Sequence, residues 1–402
     1  MGTSATATIP GWGIRISPGR YRTVVRVPPK FWAVPRWRWV AVLVGVAVFC
    51  CLPTAVAALP VSVPAVTARQ LEDRILASQG LSFAGYAESD ADFGLPAFPA
   101  FSSVTPLLDG VTRMRVWQAS PDRWRVDTLS DAGENDTYQA GGNEYVWDSG
   151  QQLLSGIFGR QAVRLPRASD LSPEALSVRI IKEAGPAAGL HALAARRVAG
   201  RSAAGLAVVP ASSESTIGKA DIWADPATGL PLLVEVFGRG AAAPTLTSQF
   251  LQVGPWKPDP AILTPQRGSG TGFTSTTPSN FAGVLRNLDD EALPGSLDGR
   301  SRQPSPAGFG QIGIYGGGLA TFAVLTFRHD TGGQLLTDAL DAGAAPLTVP
   351  DGTGAVASAP LVNLVLMHPY DSPDTFLLTG LVSKDTLERA AAVLAAKPDQ
   401  DQ

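Results

Sequence analysis

Between Gly110 and Ser130 the side chains alternate in character with a period of two. Met114 and Val116 fall on one side, and Arg113, Arg115 and Trp117 fall on the other. After a Ser120-Pro121-Asp122 turn, Trp124 and Val126 oppose Arg123, Arg125 and Asp127. A helix, with its period of about 3.6, cannot sort residues this way, but a half-buried antiparallel strand does. Strand-like runs recur at 81–89, 143–150, 196–210, 220–225, 230–238 and 245–253. Asp225-Pro226-Ala227-Thr228-Gly229 reads as a hairpin turn between two of them. The chain body is thus expected to hold about eight antiparallel strands.

Two helices break this pattern. In 67–80, Thr67 caps and Gln70 completes a capping box, Leu71 and Ile75 share a face, and Gly80 supplies the stop. In 168–185, Ser172 caps, Pro173 takes the first helical position, Glu174 suits the positive helix end, and Gly185 terminates. Residues 256–289 include a run rich in Pro, Gly, Ser and Thr and read as a linker. Strand signals resume at 312–327, 361–367 and 375–382, and a helix capped by Ser383 follows, so 290–402 reads as a small α+β domain.

The charge distribution carries a topology signal. Residues 1–71 hold eight basic residues and no acid, which leaves 24 basic against 35 acidic residues in 72–402. The basic stretch 1–39 ends in Arg36 and Arg38 interleaved with Trp32, Trp37 and Trp39, and an apolar stretch, 40–61, follows. Arg holds the cytoplasmic side and Trp the headgroup layer, so the body is expected outside the membrane. Two readings of 40–61 stand. Pro53 and Ala55-Val56-Ala57 fit a signal peptide cleaved near Ala57, giving a secreted body. The long n-region and the apolar length fit an uncleaved membrane anchor.

Composition narrows the function classes. Two Cys and three His exclude zinc fingers, iron–sulfur clusters and a disulfide scaffold, and a net charge of −3 does not suit a nucleic-acid binder. Neither cofactor nor metal is expected. Gly313–Gly318 is the nearest match to a phosphate loop, but it enters strand-like sequence and reads as a turn. His191, His329 and His368 are scattered, and hydrolysis through His368 or His329 ranks behind a non-enzymatic reading.

Several short stretches together resemble one family. These are Pro121-Asp122-Arg123-Trp124-Arg125-Val126, Tyr145 to Asp148, Val198-Ala199-Gly200-Arg201, and 222–236 with its D-P-x-T-G-L-P hairpin. The resemblance is to the LolA-like superfamily: lipoprotein carriers, exported lipid-binding lipoproteins, and RseB/MucB-type regulators of anti-sigma factors. It covers about 67–255. It implies a strongly curved open antiparallel sheet, a half-barrel, wrapping helices and holding acyl chains on its concave face. The appended 290–402 unit looks like that of the RseB-type members.

The implied partners are an acyl lipid or a lipoprotein, with an anti-sigma factor or another membrane protein docking through the C-terminal domain as the alternative. Strand-face apolar residues are the cavity candidates: Phe83, Met114, Val116, Trp124, Tyr145, Trp147, Ile222, Leu232, Val234, Val236 and Phe250. They line a ligand cavity on one reading and form the core between sheet and helices on the other.

Overall fold

The computed structural model describes residues 37, 39, 41–46, 61–94, 105–130, 133–159, 164, 166–266, 271–276, 288, 293–304 and 312–396. Two units separate, Met1–Leu59 and Pro60–Gln402. Of the first, residues 37, 39 and 41–46 are helical and exposed. The cleavage motif at 55–57, both cysteines and the rest of the apolar stretch to residue 60 lie outside the described residues. Among the described residues no helix is long and apolar enough to cross a membrane.

The second unit is built on an open twelve-stranded sheet, ordered β12-β6-β5-β4-β3-β2-β1-β11-β10-β9-β8-β7. Its strands are β1 (Phe83–Asp92), β2 (Asp109–Ser120), β3 (Arg123–Ser130), β4 (Gly133–Ala140), β5 (Asn143–Asp148), β6 (Leu153–Ile157), β7 (Gly189–Val198), β8 (Arg201–Val209), β9 (Ile217–Ala224), β10 (Pro231–Gly238), β11 (Leu246–Gly254) and β12 (Gly272–Thr276). All neighbours are antiparallel except β12, which runs parallel to β6. The half-barrel expectation holds, with more strands than expected. The run read as one strand at 196–210 is the β7–β8 hairpin, turning at Ala199 and Gly200, both with positive φ. The stretch read as linker carries β12.

Both expected helices form. Helix α1 (Ala68–Ala77) has the Thr67/Gln70 capping box, and α2 (Pro173–Ala184) has Ser172 accepting from the Ala175 N–H and Gly185 at φ 69°. Their apolar faces, through Leu71, Ile75, Val178 and Ile181, pack on β1, β2 and β8–β11 in one continuous core. The D-P-A-T-G turn has a role in that packing. Gly229, at φ 77°, lies where a β-carbon would meet the Arg74 carbonyl oxygen at 2.2 Å, so α1 rests directly on the turn.

The C-terminal sheet has six strands, ordered β15-β16-β20-β19-β18-β17, namely β15 (Ile312–Gly317), β16 (Ala320–Phe327), β17 (Ala345–Val349), β18 (Gly352–Ser358), β19 (Asn363–Pro369) and β20 (Thr375–Gly380). A two-stranded ribbon, β13 (Ser296–Leu297) with β14 (Arg300–Ser301), precedes it. Helix α3 (His329–Asp341) and helix α4 (Lys384–Ala395) belong to two separate apolar clusters of this sheet. The expected turn at His329-Asp330 is thus the first turn of a helix.

A seam joins the two sheets. Glu214 O accepts from Ser383 N at 3.0 Å, Thr216 N donates to Leu381 O at 3.1 Å, and Ser215 Oγ donates to Leu319 O at 2.6 Å. The Glu214 carboxylate accepts from Thr386 and pairs with Arg300 at 3.5 Å and Arg389 at 3.8 Å. Leu319 and Leu361 of the C-terminal unit are buried in the core of the large sheet.

Candidate functional site

Cross-strand partners share a face of a sheet, so the register assigns every candidate residue to one side. Phe83 precedes Gly85, which pairs with Val116; Ala87 pairs with both Met114 and Phe250; and Val116 pairs with Val126. Val234 pairs with Ile222, and Leu232 and Val236 alternate in step with it. These residues and Trp124 point toward α1 and α2. Of the nine cavity candidates on this face, the eight other than Trp124 are at most 3% exposed and belong to the packed core. Trp124, half-buried, is packed against that core and lines a groove of about 300 Å³ between α2 and the sheet.

Glu174 lines the same groove at 8% exposure, and burial pushes its carboxyl up to about 7 against the pull of Lys182. Tyr145 and Trp147 belong to the other face. One register row there runs Trp117, Arg125, Tyr138, Tyr145, Gly156. The adjacent row runs Arg115, Asp127, Asp136, Trp147, Leu154.

The segment 258–266 crosses these rows and roofs two hollows. The first, about 430 Å³, is walled by Trp147, Tyr138, Leu154, Arg125 and Asp136 beneath Ala261 and Ile262. The second, about 560 Å³, is walled by Tyr145, Leu154, Leu263, Pro265, Phe273 and Arg123. Leu154 and Thr264 line both, so the hollows adjoin. Phe158 meets Tyr145 edge-on at 6.0 Å and is 38% exposed at this end of the sheet. Their volumes fall in the range of small-molecule sites.

An ionic cluster closes the first hollow. Arg125 pairs with Asp127, with Asp136 at 2.9 Å and with Glu134 at 3.9 Å, and its guanidinium lies 5.3 Å from the Trp117 ring and 4.9 Å from the Tyr138 ring. Burial pushes the Asp127 carboxyl up to about 7, Asp136 adds to that shift, and Arg125 opposes it. Burial likewise raises Tyr138, whose hydroxyl donates to Asp136 at 3.2 Å. Asp127, Glu134 and Asp136 place carboxylate oxygens within 4.8 Å of one another, a spacing that suits a cation. Arg125 already supplies the positive charge there.

Arg113, Arg115 and Arg125 read as a basic stripe in the sequence. They do share a face, but Arg113 pairs with Glu88 at 3.1 Å and Arg115 with Glu134 at 3.9 Å, so the stripe is neutralised along its length. The signal missed in sequence was β4, Gly133–Ala140, whose acids and Tyr138 complete the cluster. His368, near the end of β19, has its Nδ1 3.1 Å from Asp374 O and 3.2 Å from Thr375 Oγ1.

No family model and no curated protein matches the chain. Solved structures do. The Pseudomonas aeruginosa MucA/MucB complex is 18% identical at TM-score 0.46, covering 81% of this chain and 96% of that one. A second complex, MucB with MucA(peri), is 20% identical at TM-score 0.44, covering 81% and 97%. A LolA superfamily protein from Nitrosomonas europaea is 14% identical at TM-score 0.24, covering 50% and 99%.

Proposed function

We propose that the protein is an exported, non-enzymatic binding protein of the LolA/RseB kind that takes up an acyl chain of a lipid or lipoprotein. One observation carries the reading: two adjoining hollows, walled by Trp147, Tyr145, Leu154 and Phe273, lie between the sheet and the segment 258–266. The aromatic and aliphatic walls match the chemistry of a fatty chain, with Arg125 and Asp136 forming a polar end to the first hollow. The acyl chain enters on the face opposite α1 and α2, because the candidates on the helix-facing side other than Trp124 are packed in the core.

The test is native mass spectrometry with lipid extraction on the full chain purified from a membrane-containing host. A bound acyl lipid that Trp147→Arg expels, with the fold intact by circular dichroism, supports the reading. A clean apo mass from wild type retires it.

A second reading, docking of a membrane protein such as an anti-sigma factor through 290–402, draws on β17. Among the described residues β17 pairs only with β18, leaving one sheet edge for an added strand. A Thr348→Lys change on that exposed strand should abolish capture of a co-expressed partner and leave lipid binding intact; unchanged capture removes this reading.

A further inference from the structure

We infer that the second hollow holds the head of an anionic amphiphile, a carboxylate or a phosphate ester, whose tail runs past Leu154 into the first hollow. This rests on the acyl-chain reading above and adds to it the charge and the place of the head.

Among the described residues Arg123 is the only charged side chain that lines the second hollow. It opens β3, stands exposed, and has no ion pair among the described residues. Its one hydrogen bond runs from Nη2 to the Pro260 carbonyl at 3.5 Å, which is long and therefore weak. The other arginines of this face are already committed: Arg113 to Glu88, Arg115 to Glu134, and Arg125 to Asp127 and Asp136. Two further donors line the same hollow. Asn143 accepts from the Gly159 N–H through Oδ1 at 3.3 Å, which leaves its amide nitrogen without a partner among the described residues. The Tyr145 hydroxyl is likewise unengaged there.

Unengaged donors beside apolar walls set the chemistry of the ligand. A guanidinium fork suits the paired oxygens of a carboxylate or phosphate. A hydroxyl head gains less from it, and an ammonium head is repelled. Leu154, Leu263, Pro265 and Phe273 remain to bury the tail. The first hollow fixes the direction. At its polar end Asp127, Glu134 and Asp136 crowd around Arg125, so an anionic head is disfavoured there. Leu154 lines both hollows, and the tail passes along it toward Trp147.

The experiment titrates the full chain by isothermal calorimetry with decanoate, decyl phosphate, 1-decanol and decylammonium, each below its micelle concentration, and with inorganic phosphate. Decanoate and decyl phosphate should bind at least about tenfold tighter than decanol or decylammonium. Inorganic phosphate, which has the charge without the tail, should bind at least about a hundredfold more weakly than decyl phosphate. Arg123→Gln, at an exposed position, should bring both anions to within about twofold of decanol. Arg113→Gln, outside both hollows, should leave the anion preference unchanged. Decanol or decylammonium binding as tightly as the anions overturns the head assignment and leaves the acyl pocket standing. An anion preference that survives Arg123→Gln overturns it too. Inorganic phosphate binding as tightly as decyl phosphate makes the ligand a free anion and overturns the amphiphile. Binding of no probe overturns both the head assignment and the acyl pocket.

Discussion

A β-carbon on Gly318 would lie 2.3 Å from the carbonyl oxygen of Glu183. The tip of the β15–β16 hairpin therefore touches the last turn of α2, and the C-terminal sheet is seated on the helix that fills the large one. Gly318 also has φ 59°, a conformation costing a side-chain-bearing residue about 1–2 kcal/mol by itself. Gly318→Ala should accordingly destabilise the protein by at least about 2 kcal/mol in urea unfolding. Gly317 provides the control, since nothing lies within 4 Å of its β-carbon position. Gly317→Ala should change stability by less than about 0.5 kcal/mol. Equal effects from the two substitutions would mean the contact with Glu183 does not hold the seam.

Val234 and Trp147 entered as equivalent cavity candidates, and the structure separates them. Val234 is 0% exposed among residues packed under α1 and α2, so an aspartate there buries a charge with no partner. Val234→Asp should cost more than about 3 kcal/mol and yield little soluble protein. Trp147 is half-buried and walls a hollow. Trp147→Arg should leave the thermal transition within a few degrees of wild type while the bound acyl lipid is lost. Comparable melting of the two variants would place Trp147 in the core instead.

How much of this could be read in the sequence depends on how local the determining force is. Caps and turns are local, and the starts of α1, α2 and α4 follow from Thr67, Ser172 and Ser383 as expected. The facing of β2 and β3 follows equally from their alternation. Strand β4 was not legible, because Asp136 and Tyr138, on the face away from α1 and α2, are polar and are buried by Arg125 of the neighbouring β3, which no periodicity reveals. Helix α3 was hidden by Gly332 and Gly333, poor helix formers. The structure gives the reason for one of them: a β-carbon on Gly332 would lie 2.3 Å from Thr375, so the helix packs onto β20 with no room for a side chain. The two sides of the sheet were merged into one candidate set because each strand, read alone, has no absolute inside. Only cross-strand register shows that Tyr145 and Trp147 lie opposite Val116 and Val126.

Glu174 gives stability a pH dependence opposite to that of a salt-bridged carboxylate. Burial raises it from 4.5 to about 7 in the folded state. Between those values the folded protein holds a proton that the unfolded chain has released. Its contribution is therefore complete below about pH 4.5 and is lost as pH rises through 7. Glu174→Gln keeps the shape without the charge. At pH 8 this variant should be more stable than wild type by roughly 1–3 kcal/mol, and the difference should shrink steadily toward pH 5. The measurement is denaturant unfolding across that range. A pH-independent difference would show that Glu174 is already ionised in the fold.

Arg125 holds Asp127, Asp136 and Glu134 together, and its removal should show the cluster's charge balance directly. Arg125→Met keeps an apolar stem of similar length but removes the guanidinium from over the Trp117 and Tyr138 rings and leaves the carboxylates without a counter-charge. Taking one partner from a buried ionic group costs about 3–5 kcal/mol. The sign with pH follows from Asp127, already raised to about 7 by burial and by Asp136. Without the guanidinium the folded-state values rise further. The folded protein then binds more protons than the unfolded chain over a wider window, and the variant gains stability as pH falls. The gap between wild type and Arg125→Met should therefore be largest near pH 8 and close by about half near pH 5. Adding Asp127→Asn should recover part of the loss at pH 8, because one of the repelling charges is gone. If the double variant is no more stable than Arg125→Met, then lost packing against the two rings, and not uncompensated charge, accounts for what Arg125 contributes.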